Sequence, residues 1–416
     1  MSITEGYELV SPEFYGQNGP PHEIWRQLRE KSPVHRCDHK DLHPFWAITK
    51  HEDIGTISKQ PDLFQSYPGI MLVPANQEID REQGVGAMRT LIEMDPPRHR
   101  QFRKIASPSF TPRSLSRLDP EIDKSARELV DQLAGKGEER DCDYASDVAA
   151  AHPLRILSTA LGISRDHEPE ILRVTNQLFA LDDDELGRPG EDRQAAAMAL
   201  GLELFNLLNP IIEDRKKNPR DDLASVLANG LVDGEPMTQL ETLGYYLITF
   251  TAGHDTTKNA LAGGMAALMD HPDQLELLQK NPELIPSAVE EIIRWTSPVN
   301  FMRRTASRDT ELRGQKIKAG DHLGLFYGSA NRDADVFDNP YQFDISRDPN
   351  RHVGFGVGEH FCLGAHLARR SQQALLRELM SRLEWVEPNG EREWIKASFV
   401  VGFKHLPIRY RIRPSA

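Results

Sequence analysis

Residues 355–364 read Phe355-Gly356-Val357-Gly358-Glu359-His360-Phe361-Cys362-Leu363-Gly364, a cysteine framed by glycines and aromatics. Gly356, Gly358 and Gly364 allow tight turns and bring backbone close to a flat group that a Cβ would hold away. From Ala365 to Met380 the text is strongly helix-forming. Cys362 is therefore expected at a helix N-terminus, where free N–H groups and the helix dipole favour an anionic sulfur. A thiolate rather than a thiol is expected there, in a frame suited to binding haem iron.

The rest of the chain narrows the class. Its 416 residues carry 50 Lys and Arg against 63 Asp and Glu, a net charge of −13, which argues against nucleic acid as a partner. No apolar run approaches the roughly twenty residues that a bilayer requires, and Met1 to Leu9 lacks a basic-then-apolar leader. A cytoplasmic protein with no membrane partner is expected. Cys37, Cys142 and Cys362 are odd in number and far apart, so a disulfide framework is disfavoured. Three cysteines are also too few for the four thiolates of an iron–sulfur cluster. With no linker tract and no repeat period, residues 1–416 read as a single domain.

Along the chain, Val34 to Asp38 and Phe45 to Thr49 predict a hairpin, and Ser66 to Gly86 a long functional loop. From Pro97 to about Lys217 the pattern is mostly helical. The strongest helix starts at the capping box Thr238-Gln239-Leu240-Glu241, with Met237 before it, and stops before His271-Pro272. Its length of about 48 Å would cross a whole domain. Short strands are expected from Thr305 to Tyr327 and near Phe399 to Ile412, giving a mainly α chain with a small β region gathered from both ends.

Inside the long helix stands Ala252-Gly253-His254-Asp255-Thr256-Thr257. A mid-helix threonine can bond the carbonyl four residues back, here Ala252, and Gly253 weakens the ladder, so a local bulge is expected. Such a gap suits dioxygen and a water, with Thr256 donating a hydrogen bond and Asp255 relaying protons. Two further clusters are ambiguous alone. Glu291-Ile292-Ile293-Arg294 could be an ordinary helix pair. His35, Cys37 and His39, with His43 nearby, are zinc ligands by type, but they lack a second cysteine or histidine pair and read as part of the hairpin.

Taken in order along the chain, the Asp95-Pro96-Pro97 region, the Ala252–Thr257 motif, Glu291 with Arg294, and the Cys362 frame resemble the cytochrome P450 monooxygenases. The resemblance covers essentially the whole chain. It implies a triangular, mostly helical fold with haem b (iron protoporphyrin IX) between the long helix and the cysteine loop. Cys362 would be the metal ligand, with Phe355, Gly356, Gly364 and Ala252 against the macrocycle. His99, Arg103, Arg304, His352 and His360 match propionate-contacting positions, Arg303 being a competitor of Arg304. Asp255 and Thr256 match the acid–alcohol pair, and Glu291, Arg294 and Arg347 an architectural network.

The implied reaction inserts one oxygen atom of O2 into an unactivated C–H bond, using two electrons from NAD(P)H. With no flavin or nicotinamide fingerprint, the electrons are expected from a ferredoxin and its reductase, docking at Lys104, Arg113, Arg117, Arg369, Arg370 and Arg377. Pro298 to Met302, Thr249, Ala252, Tyr67 to Val85 and Phe399 to Val401 are expected to line the distal pocket. That lining predicts a small apolar substrate: terpenoid, steroid or aromatic hydrocarbon. A peroxide-driven haem-thiolate enzyme would not need Asp255 and Thr256, and a non-catalytic haem sensor usually brings a further module.

Overall fold

The computed structural model describes residues 3–72, 89–188 and 190–415. Ten of its helices carry the architecture: α1 His22–Lys31, α2 His51–Ser58, α3 Arg98–Ala106, α4 Asp119–Ala134, α5 Ala151–Ala160, α6 Glu168–Phe179, α7 Arg193–Lys217, α8 Gln239–Asp270, α9 Ile285–Thr296 and α10 Ala365–Arg382. Among the described residues no helix is long and apolar enough to cross a membrane. Most of the loop expected at 66–86 falls on residues 73–88, outside the described residues.

The 32-residue α8 begins as its sequence predicts. Thr238 Oγ1 accepts the Glu241 N–H at 3.3 Å, and Glu241 Oε2 accepts the Thr238 N–H at 2.9 Å. Its first half, with Leu243, Tyr246 and Phe250, packs into one apolar cluster beside Leu154 and Leu204. Its second half, with Leu261, Met265 and Leu268, packs into another beside Leu129 and Leu375. Each fully buried large side chain contributes about 1.5–3 kcal/mol, so packing rather than propensity holds α8 together. Gly263 and Gly264 let α8 press on α9: a Cβ at either would stand 2.5 Å from Thr296 Cγ2 or 2.8 Å from Ile292 Cγ2.

The expected hairpin forms as β1 Val34–Cys37 and β2 Phe45–Ile48, with His35 opposite Ala47. They join β3 Phe64–Gln65, β4 Phe301–Ala306 and β5 His322–Phe326 in one sheet of order β1-β2-β5-β4-β3. The β2–β5 pairing is parallel, with His322 beside Phe45, and it ties the two ends of the chain together. A second sheet orders Leu383–Pro388, Pro407–Ile412 and Arg140–Asp143. The strand Arg140–Asp143 interrupts a stretch read as helical, because Cys142 pairs with Ile408, a partner more than 260 residues away.

The cysteine loop is anchored by buried charge. Glu291 and Arg294 are both fully buried, with Arg294 Nε and Nη2 each 2.7 Å from a Glu291 oxygen. Arg294 also donates to the carbonyls of Asn331, Pro340 and Gln342, while Glu291 accepts from Arg347, Asn350 and the Asp344 N–H. Beside it, Glu290 accepts from Arg369 of α10 at 2.6 and 2.8 Å and lies 3.1 Å from His352 Nε2. Burial pushes the Glu290 carboxyl up, but Arg369 and His352 outweigh it and hold its pKa at about 2.

Two outcomes follow. Glu291→Gln should lower stability by about 3–5 kcal/mol, because it leaves Arg294 buried without its counter-charge; an unchanged denaturant midpoint would show that the pair is not needed. Glu290 has a folded pKa below its unfolded value of about 4.3. Its stabilisation is therefore complete above that value and is lost as pH falls toward 2. Glu290→Gln should flatten the acid limb of stability between roughly pH 5 and 3, measured by denaturation at each pH.

Candidate active site

A cavity lies between α8 and the cysteine loop. One wall is Ile248, Thr249, Ala252, Gly253 and Thr256 of α8; the opposite wall is Phe355, Gly356, Cys362, Leu363 and Gly364. Leu91, Ile92, Val299, Met302, Phe399 and Val400 close the distal end with carbon. Of the described residues expected to line it, Asn300, Phe301, Val401 and the stretch Tyr67 to Leu72 do not, and residues 73–85 lie outside the described residues. Asn300 is buried instead in hydrogen bonds to the Tyr15 hydroxyl and the Ser398 carbonyl.

The loop's geometry explains its glycines selectively. Gly356 and Gly358 have φ of 69° and 75°, the left-handed region, and a Cβ on Gly358 would come within 2.4 Å of the Ser58 carbonyl oxygen at the end of α2. Gly364 has an ordinary φ of −85°, and a Cβ there would meet no protein atom within 4 Å. Its demand for glycine comes from the cavity side alone. The Cys362 N–H donates to the Phe355 carbonyl at 2.8 Å, which closes the loop.

Around the sulfur, burial and the helix terminus oppose each other. Burial raises the Cys362 thiol pKa, and a hydrogen bond from the Gly364 N–H, together with Arg103 and Arg369, offsets this only in part. The helix terminus therefore does not by itself make a free thiolate. A coordinated metal deprotonates a thiol outright, so the anion is stable with iron bound.

The cationic edge of the cavity fits a dicarboxylate macrocycle. Arg304 is 4% exposed and lines the cavity, with no carboxylate in ion-pair range among the described residues. Its one short contact is to the Arg303 carbonyl at 2.8 Å. Arg303 points away, its Nε donating to the Gly69 carbonyl. The rings of His99 and His360 lie 4.1 Å apart, and His360 Nε2 is 3.1 Å from Ser66 Oγ. Burial and then Arg103 lower the His99 pKa to about 4; burial, Arg304 and His99 lower that of His360 to about 2. Arg103 completes the edge, donating to the Phe361 carbonyl at 2.7 Å. Tyr327, which carried no sequence signal, also lines this wall near Gly356. Haem propionates would meet these groups, the apolar walls its ring, and Cys362 its iron.

Two expected residues are not brought to the cavity. His352 is held behind the loop by Glu290 and by the Gly354 N–H, which donates to Nδ1 at 3.2 Å. Asp255 faces away from the cavity, with Oδ1 3.3 Å from His254 Nδ1 and Oδ2 buried without a partner. Nor does α8 bulge: it is α-helical from Gln239 to Asp270. Gly253 serves close packing instead, since its Cβ would stand 2.9 Å from Leu157 of α5. Thr256 Oγ1 does bond Ala252 O, at 2.6 Å. Because a carbonyl cannot donate, the hydroxyl proton is committed there and Oγ1 can only accept from the cavity.

The hairpin histidine is engaged locally, His35 lying 3.1 Å from Ser32 Oγ and 3.0 Å from the Thr4 carbonyl. Of the six basic residues expected at the docking face, Arg369, Arg370, Arg117 and Arg377 are paired with Glu290, Asp119, Asp221 and Asp123. Lys104 and Arg113 are exposed and in no ion pair among the described residues, and Phe361 is 41% exposed.

Comparison with known proteins agrees with this geometry. The family model described as Cytochrome P450 matches residues 13–285 and 279–412. The chain is similar to Cytochrome P450-terp of a Pseudomonas species, with 37% identity over 97% of this chain and 96% of that one. It is likewise similar to linalool 8-monooxygenase of Pseudomonas putida, with 34% identity over 96% and 98% of the two chains. Its fold superposes on a crystal structure of a cytochrome P450 from Novosphingobium aromaticivorans with a TM-score of 0.88, at 36% identity and 98% coverage of each. A cysteine loop facing a long helix across an apolar, cation-edged cavity, in a chain matched almost end to end, belongs to the cytochrome P450 monooxygenases, haem-iron oxidoreductases.

Proposed function

We propose that this chain, acting as a single domain in the cytoplasm, hydroxylates an unactivated C–H bond of a small isoprenoid hydrocarbon, terpenoid or steroid. It would do so with haem b, O2 and two electrons delivered from NAD(P)H by a ferredoxin and its reductase. The observation that carries the reading is the cavity itself, with Cys362 on one wall, Thr256 on the other and carbon between them. Linalool, named in one relative, is of this substrate class.

When bound, haem supplies oxygen activation at its iron. The chain does the rest. Cys362 holds the iron, while Arg304, Arg103, His99 and His360 hold the carboxylates. Ile248, Val299, Phe399 and Val400 orient hydrocarbon and exclude water, for an apolar pocket gains most from apolar area. Thr256 Oγ1, its own proton given to Ala252, accepts a hydrogen bond and so holds a water or a protonated oxygen at a fixed point. Asp255, on the outer face of the same turn, resupplies the proton. Lys104 and Arg113, exposed and in no ion pair among the described residues, are the cations open to an acidic electron donor.

The reduced protein with carbon monoxide should show the long-wavelength Soret band of thiolate ligation, lost in Cys362→Ser. A band at the histidine-ligated position in folded wild-type protein would sink the reading. Titration with monoterpene alcohols and sterols should then shift the oxidised spectrum from low to high spin. Thr256→Ala should keep that spectrum and divert NAD(P)H to peroxide by several-fold; full coupling to product in this variant would remove Thr256 from proton handling.

A further inference from the structure

Lys258 lies on α8 one turn beyond Asp255 and is 4% exposed. Its ammonium makes one long hydrogen bond, 3.5 Å to Asn176 Oδ1 of α6, and no ion pair among the described residues. A buried, unpaired ammonium is strongly penalised, so its retention calls for a reason. Three carboxylates lie near enough to act on it by charge: Asp255 on its own helix, Asp143 of the strand Arg140–Asp143, and Asp183 between α6 and α7. Burial lowers its pKa and these three carboxylates oppose the shift.

Asp255, Lys258 and Asn259 share one face of α8 by their i, i+3 and i+4 spacing. Asp255 Oδ2 and Asn259 Oδ1 are buried there without a protein partner, which is the setting for a bridging water. A file of charge continues outward. Buried Asp183 lies 3.6 Å from Lys404 Nζ, and Lys404 lies 3.6 Å from Glu185 and 3.5 Å from Glu393, both half-exposed. His405 stands at the same mouth, 2.5 Å from Asp143 and 2.8 Å from Glu185.

We propose that Lys258 is the proton donor to Asp255, and that this outer face of α8 is the proton route from the surface at Lys404 and Glu185. In the step, an N–H bond of the ammonium breaks and an O–H bond forms on the Asp255 carboxylate, the proton passing through a water bound at the orphaned Oδ2. Lys258 is left as a neutral amine and regains its proton from solvent past Asp183 and Lys404. No electrons move. The inference rests on the reading of Asp255 as the proton carrier behind Thr256.

The deciding variant is Lys258→Arg, which keeps the charge but cannot release a proton at working pH. In haem-loaded protein supplied with NADH, a ferredoxin and its reductase, NADH oxidation plus peroxide release needs no particular organic substrate. Lys258→Arg and Lys258→Met should both slow it at least about tenfold and raise the H2O/D2O rate ratio, with the carbon monoxide spectrum unchanged. In a lysine NMR titration the Lys258 signal should titrate below the ordinary value of about 10.4 and move in Asp255→Asn. A Lys258→Arg protein with wild-type rate and isotope effect would make Lys258 a counter-charge only and overturn the proposal, even where Lys258→Met does not fold. Asp255→Asn at wild-type rate would instead overturn the reading on which it rests.

Discussion

The Arg294 guanidinium is the fixed point of this molecule. It is sealed from water, and its five donors are matched to Glu291 and three backbone carbonyls spread over residues 331–342. Those carbonyls belong to chain without long secondary structure, which has little of its own to hold it in place. Arg347 and Asn350 bind the same carboxylate, so the approach to the cysteine loop is gripped every few residues. The neighbouring Glu290 ties the same helix to α10 through Arg369. The segment leading to the Cys362 loop is thus held by the buried Glu291–Arg294 pair, and α9 is tied to α10 by the part-buried Glu290–Arg369 pair.

Much of this was legible in the sequence because it is local. The capping box at Thr238, the stop at His271-Pro272 and the i, i+3 pairing of Glu291 with Arg294 depend on near neighbours. What was not legible depends on distant ones. The strand Arg140–Asp143 exists because Pro407–Ile412 lies beside it. Gly253 looked like a weak point of the helix until Leu157 was seen packed against it. The family resemblance put His352 at the cavity, yet Glu290, adjacent to the architectural pair, lies 3.1 Å from its Nε2 instead. Tyr327 gave no signal, being an aromatic at the end of a strand like many others.

The long helix separates two kinds of environment. Its inner face offers Ala252, the accepting oxygen of Thr256 and carbon. Its outer face offers Asp255, Lys258 and Asn259 in a buried polar seam. In the proposed reaction, a hydrocarbon and a proton would reach the same turn of helix from opposite sides.

The charge left unmatched by protein gives the last constraint. Burial, with Arg103 and Arg304 beside it, lowers the pKa of two histidines at one edge of the cavity, and burial raises that of the Cys362 thiol on its floor. Each arrangement is costly alone: a guanidinium buried with no carboxylate in ion-pair range among the described residues, and a sulfur whose ionisation burial opposes. Carboxylates at the edge and a cation at the floor relieve both, and they must arrive together at a set spacing to do so. A metal ion alone would leave Arg304 unmatched, and a dicarboxylate alone would leave the thiol protonated. The cationic edge and the sulfur floor of the one cavity thus fit the carboxylates and the iron of a single rigid group.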